Sequence, residues 1–337
     1  MIKKYLKSDQ GFALVLTLLI VSLIIAVTLQ FDTAMRIERE SAFELSTGNQ
    51  LRCAAESGFN YALGVLYQDA LTDASSATPS DSGFEVWADP NALNGGDAAS
   101  GFEDASFEVA VTDLSARINV NLVAKTTPNE EEPSSSNSDS DTQDILKRLI
   151  ESLNPDLGQT EVDDLVDSIV DWIDTDDAVT GIGGAESSYY QGLDEPYVCK
   201  NAPLESLDEL LLVKGMTPEL YQSISKYLTI YGTGNININT AAPEVLAALG
   251  VDMDLDLANE MVEYRNDENN DISTPNWYLN VPGISAKGIN LSNAVVKSAH
   301  FMIISTGKKD NMKKVLVSTV ERDASGPNLR ILSREME

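Results

Sequence analysis

The sequence is poor in cysteine, histidine and basic residues. Two cysteines, Cys53 and Cys199, and one histidine, His300, in 337 residues exclude a disulfide-built scaffold and a structural zinc site, which needs four such ligands. A single bridge between Cys53 and Cys199 stays open outside a cytoplasm. Cys53 also reads as a small core residue among Leu51, Ala54 and Ala55. Lysine and arginine number 23 against 53 acidic residues, a net charge of -30. Such a surface repels phosphate backbones, which disfavours nucleic acid as a partner. It suits hard cations and solubility outside a cytoplasm. A Ser-His-Asp triad would have to use His300, and no G-x-S-x-G elbow accompanies it. His300 beside Phe301 reads as a half-buried strand residue. There is no P-loop, and the glycine-rich stretches at Gly181 and Gly232 read as turns.

What is present begins with residues 12–29, FALVLTLLIVSLIIAVTL. As a helix this uncharged run is about 27 Å long, enough for a hydrocarbon core with some thinning. Lys3, Lys4 and Lys7 precede it and predict a cytoplasmic N-terminus, with the remainder outside the inner membrane. No small-x-small cleavage site follows, so a retained anchor is favoured over a cleaved signal peptide. The helical pattern continues to about Tyr67 through Ala34, Ile37, Phe43, Leu45, Leu51, Ala54, Ala55, Phe59, Ala62, Leu63 and Leu66.

Further on, Phe84–Trp87, Phe107–Thr112, Arg117–Leu122, His300–Thr306, Lys313–Glu321 and Leu329–Ser333 read as strands. Residues 126–143, rich in Ser, Asp, Asn and Glu, have little to bury and read as a disordered loop. Apolar stripes predict helices over Asp144–Leu153, through Val162 to Ile173, and over Leu255–Tyr264. Thr160 with Asp163, Ser206 with Glu209, Thr217-Pro218 and Thr240 are candidate helix starts, and Gly250 a stop. Asp171, Asp174, Asp176, Asp177 and Glu186 concentrate carboxylates around a Gly-rich loop, with Asn201 as an additional oxygen donor. Oxygen ligands on a loop suit Ca²⁺, although the spacing is not that of an EF-hand; a solvated acidic loop is the plain alternative.

Lys3-Lys4-Tyr5-Leu6-Lys7-Ser8-Asp9-Gln10-Gly11 followed by Phe12 resembles the leader of type IV pilins and type II secretion pseudopilins. The resemblance implies that a prepilin peptidase cuts between Gly11 and Phe12 and methylates the new amine. The usual Glu at the fifth mature position is replaced by Leu16, which resembles the large minor pseudopilin K family. An intramembrane carboxylate needs a partner, and a subunit at the fibre tip has no earlier neighbour to supply one. DLSARINVNLV, with its Arg-x-Asn-x-Asn core, SIVDWIDTDDAVTGIGGAESSYY, PLESLDELLLVKGMTPELY and NININTAAPEVLAAL occur in that family's order.

That resemblance implies an α+β fold with a leader at 1–11 and a transmembrane spine helix at 12–67. A pilin-like α/β unit is implied in two parts, 68–124 and 298–337, around an inserted helical block at 125–297. It also implies a non-enzymatic role at the pseudopilus tip in protein export. The implied partners are minor pseudopilins I and J, the major pseudopilin and the inner-membrane assembly platform. It implies calcium at the acidic region, with Asp174, Asp176 and Glu186 as preferred ligands. Two alternatives share some of these features: a minor pilin of a type IV pilus, and a periplasmic DNA-binding component. The second rests on LLLVKGMTPELY and YLNVPGISAKGI, which resemble helix-hairpin-helix turns with Lys214 and Lys287 near phosphate.

Overall fold

A computed structural model describes residues 9–94, 105–124, 138–323 and 326–337. The fold is α+β. Helix α1 is Asp9–Ser75, α2 is Pro90–Asn94 and strand β1 is Ser106–Asp113. Then come β2 (Ile118–Asn119), α3 (Ser138–Leu153), α4 (Gln159–Ile173), α5 (Ser187–Tyr190) and α6 (Pro218–Ile224). They are followed by β3 (Leu228–Thr229), β4 (Ile236–Asn237), α7 (Pro243–Leu249), α8 (Leu255–Arg265) and α9 (Pro282–Lys287). Strands β5 (Ala294–Val295), β6 (His300–Lys309), β7 (Met312–Arg322) and β8 (Leu329–Met336) complete the chain.

No proline interrupts α1, and its 67 residues extend about 100 Å. Its apolar stretch reaches a mean hydropathy of 3.0, long and apolar enough to cross a membrane. The helix runs eight residues beyond Tyr67, to Ser75. Ile37, Phe43 and Leu45, expected on the buried stripe, are exposed, as is Cys53. Burial begins only where a sheet meets the helix: Leu51, Ala54, Ala55, Phe59, Ala62 and Leu66 face it at helical spacing.

That sheet has the order β1-β6-β7-β8, antiparallel throughout. The β6–β7 hairpin turns through Asp310, whose φ of 51° is the left-handed conformation tight hairpin turns demand. Gly307 on β6 lies so close to α1 that an added Cβ would run into the Leu51 carbonyl oxygen. Phe84–Trp87 forms turns rather than a strand. Trp87 is buried against Phe301 with ring centroids 5.1 Å apart, and its indole donates to Glu85. The local hydrogen bond and the ring contact outweigh the extended pattern.

Between β1 and β6 the chain builds a second buried cluster on α3, α4, α6, α7 and α8. Residues 125–137 of the expected acidic loop lie outside the described residues, and α3 begins at Ser138, earlier than Asp144. Helix α4 starts after Gly158, not at Thr160, because the Glu161 carboxylate accepts the Gly158 amide at 2.9 Å. Ser206 and Glu209 do form a capping box, on a 3₁₀ turn, and Thr217 caps α6. Thr240 caps nothing; its hydroxyl donates to Asp113, and α7 starts after Ala242.

Arg117–Leu122 is extended only at β2, then becomes a 3₁₀ turn. Strand β2 pairs in parallel with β3, and β4 with β5. The buried or half-buried asparagines nearby supply what such short strands lack. Asn121 bonds both the N–H and C=O of Leu204, and Asn239 accepts from the Trp277 indole and donates to Ile272. The two units join where Asp113 accepts from Ser298, Thr240 and Asn237.

Candidate metal centre

Asp171 and Asp174 stand at the end of α4, three residues apart and hence on one side of the helix. Glu186 is the residue before α5. The intervening loop folds back onto α4. Thr180 N–H donates to Asp171 Oδ1 at 2.8 Å, Ser168 Oγ donates to Gly183 O at 3.2 Å, and Gly181 takes a φ of +58°. A Cβ at Gly184 would collide with the Asp171 carboxylate and Thr180 O, so the backbone can approach that carboxylate only as glycine.

The three carboxylates place one oxygen each within 4.8 Å of one another. Asp171 and Glu186 are buried. Five oxygens here are buried and accept no hydrogen bond among the described residues: Asp171 Oδ2, Asp174 Oδ1, both Glu186 oxygens and Asn201 Oδ1. Burial, then the neighbouring acids, push Asp174 up to about 6 and Glu186 up to about 7. Leaving buried acceptors unpaired is costly, and a cation removes that cost. The donors are oxygens of carboxylates and an amide, a set that fits Ca²⁺. Oxygens 4.8 Å apart can both lie at its 2.3–2.6 Å bond length.

Not every expected ligand joins the group. Asp176 and Asp177 are exposed. Asp176 Oδ1 accepts the Ala178 amide, and Asp177 Oδ1 accepts from Asn201 Nδ2 at 3.2 Å. They form the outer turn, while Asp171, Asp174 and Glu186 converge. The sequence signal for preferring Asp171 over Asp176 was its place on the apolar side of α4, next to Val170 and Trp172.

A second acidic trio has no pattern within one segment that would reveal it in the sequence. Asp69, Asp81 and Glu85 also bring oxygens within 4.8 Å. There the buried Arg322 guanidinium donates to Asp69 at 2.7 Å, to both Asp81 oxygens and to Ser298 O at 2.8 Å. Glu85 accepts from Ser82 N–H and the Trp87 indole. A cation is therefore already built into that cluster.

The helix-hairpin-helix resemblance leads elsewhere. Lys214 Nζ donates to Gly183 O at 2.8 Å and lies over the Tyr189 ring, while Lys287 pairs with Asp254 at 3.2 Å. Trp277, Tyr278 and Ile284 around the second turn are buried. These turns pack the helical block. Cys53 and Cys199 are both free thiols, and Cys199 is buried with its Sγ 3.3 Å from Asp171 O.

Residues 116–233 and 236–297, more than half of the chain, match two family profiles, both described as Type II secretion system (T2SS), protein K. A Type II secretion system protein K from Aeromonas hydrophila is 30% identical over 71% of the chain and 69% of its own length. One from Pseudomonas aeruginosa is 27% identical over 98% of the chain and 93% of its own length. Among solved structures, the fold is similar to a chain of the GspK-GspI-GspJ complex of enterotoxigenic Escherichia coli. The TM-score is 0.66 at 19% identity, covering 88% of this chain and 99% of that one.

Proposed function

Because the chain belongs to the type II secretion system protein K family, whose members are minor pseudopilins, we propose that it caps the pseudopilus tip and starts its assembly. The family is one of structural components, so the chain is not an enzyme. One observation carries the tip reading. Strands β1 and β6 are direct neighbours in the sheet, yet the whole helical block lies between them in the chain. A block of that bulk on the pilin-like unit obstructs addition of a further subunit above it, while α1 remains free for neighbours below. Leu16 agrees with this position, since a first subunit has no earlier amine to pair with a carboxylate.

In this reading the precursor is inserted in the inner membrane with a cytoplasmic N-terminus and a periplasmic body. It is cut between Gly11 and Phe12 and methylated. The partners are minor pseudopilins I and J, by analogy with the complex named for the similar structure, and below them the major pseudopilin and the assembly platform. The assembly serves protein export across the outer membrane. Calcium held by Asp171, Asp174 and Glu186, with Asn201 adding an amide oxygen, would neutralise the acidic loop and fix it against α4.

The test is co-purification of the full-length chain with its cognate I and J subunits from detergent-solubilised membranes, with and without chelator. A ternary complex in calcium supports the reading. Recovery of the chain alone under both conditions overturns the tip assignment.

A further inference from the structure

In the Arg-x-Asn-x-Asn segment the two asparagines have clear structural roles. Asn119 donates to Gly232 O at 2.7 Å and accepts the Asn121 amide, and Asn121 holds Leu204. Arg117 differs. It is more than half buried, yet its guanidinium makes no hydrogen bond or ion pair among the described residues. In a chain with 53 acids against 23 bases, an unpaired and partly desolvated guanidinium is unexpected. Asp113, the acid nearest in sequence, does not pair with it, because its oxygens accept from Ser115, Ser298, Thr240 and Asn237. Burial accordingly holds Arg117 below the usual arginine value, with Asp113 countering only in part.

Arg117 borders a cavity of about 160 Å³ lined by Ser115, the Tyr231–Asn235 loop, Lys297 and His300. Among the described residues no aspartate or glutamate lines it. A second cleft on the other side of Arg117 contains Glu244 and Asp113 and is thereby less suited to an anion. In the first cavity other donors converge on the same space. Ser115 Oγ accepts the amides of Ala299 and His300, which leaves its own hydrogen to donate. The amides of Gly232, Thr233 and Gly234 have no acceptor among the described residues. Gly232 and Gly234, with φ of +100° and +86°, flank Thr233, so the loop alternates left-handed glycines with an ordinary residue and carries unbonded N–H groups, an arrangement that receives anions. Lys297 adds a second cation and is held by Asp73 at 3.4 Å. Burial holds His300 below the usual histidine value, and the ring lies against Tyr231 with its Nε2 3.8 Å from Glu321.

We propose that this cavity is a carboxylate-binding site, in which the Arg117 guanidinium grips one carboxylate with support from Ser115, the Gly232–Gly234 amides and Lys297. Carboxylates and phosphates both match the planar fork of arginine bidentately; a carboxylate is preferred here because its single negative charge suffers less repulsion from a chain of net charge -30 than a doubly charged phosphate does. The cavity lies where both connections between the sheet and the helical block pass, at Ser115–Arg117 and Lys297–His300. A bound carboxylate therefore bridges the two units.

The experiment uses full-length protein in detergent micelles, labelled with ¹⁵N-arginine. The Arg117 Nε–H resonance is identified by its loss in Arg117→Lys. Sodium acetate then replaces sodium chloride at constant ionic strength. The expected result is a saturable shift of this one resonance with a millimolar midpoint, reproduced by N-acetylglutamate amide. Lys297→Gln, which keeps the resonance, is expected to weaken the midpoint several-fold. An Arg117 resonance that responds to acetate no more than to chloride overturns the site. Tighter binding of inorganic phosphate than of acetate overturns its assignment to carboxylates. If Arg117→Lys does not fold, the Lys297→Gln titration with wild-type assignment by arginine-selective spin labels decides the matter in the same way.

Discussion

Two clusters of three acids occur in this chain, and they are neutralised differently. Near the end of the spine helix, Asp69, Asp81 and Glu85 surround Arg322, which donates to two of them. In the helical block, Asp171, Asp174 and Glu186 converge, and among the described residues no basic side chain pairs with them and several of their oxygens accept nothing. A cluster with its own guanidinium is complete when the chain folds. One without is complete only when the surroundings provide a cation. The first joins the sheet to the helix through a cation of the chain itself, whereas the second leaves carboxylate oxygens open to an external one.

The largest expected effect breaks the first cluster. Arg322→Met leaves the fully buried Asp81 without its partner and should cost about 3–5 kcal/mol in denaturant unfolding. Adding Asp81→Asn should recover part of that loss, because the uncompensated charge is then gone. In the second cluster, removing calcium should lower the melting temperature. At a hundredfold excess over Kd the lost stabilisation is about 2.7 kcal/mol, and Glu186→Gln should abolish the calcium response while leaving that of Arg322→Met intact. Packing of β6 on α1, at the end of the sheet away from the first cluster, is tested by Gly307→Ala, whose Cβ meets the α1 backbone at Leu51 and Ala55. The expected destabilisation is about 1–3 kcal/mol, read by thermal unfolding.

How much of this was legible in the sequence depends on how local the cause is. The spine helix, the β6–β7 hairpin and the stripe of α4 follow from patterns within one element, and they were readable. The carboxylates of the candidate metal centre, Asp171, Asp174 and Glu186, also fall within one short stretch. Asp171 is set apart by its place on α4, whereas the loop's fold turns Asp176 outward onto the Ala178 amide. Thr240 looked like a cap because its real partner, Asp113, is 127 positions away. The Arg322 cluster was invisible for the same reason: its partners are 241 and 253 positions distant. Ile37, Phe43 and Leu45 are exposed in the isolated chain because the sheet begins further along α1. An apolar stripe marks a surface to be covered, without saying by what.

The smallest expected effect is in pH, where the clusters respond in opposite directions. Burial and neighbouring acids push Glu85 up to about 9, and burial raises Asp69 to about 6. The folded chain thus keeps protons that the unfolded chain releases above about 4, so this cluster's contribution to stability falls as pH rises from about 4 to about 9. Calcium binding runs the other way. It needs ionised ligands, so affinity should increase as pH rises through about 6 and about 7, where Asp174 and Glu186 lose their protons. Unfolding curves at pH 5 and 8, each with calcium and with chelator, separate the two trends.

Isothermal titration of calcium into the full-length protein in nanodiscs tests the open cluster most directly, with Asp171→Asn/Glu186→Gln as the comparison. The wild-type chain should give a saturable binding heat that the double variant lacks, while both keep the same far-UV circular dichroism. Equal heats from the two proteins, or none from the wild type, would contradict the assignment of these carboxylates to a cation.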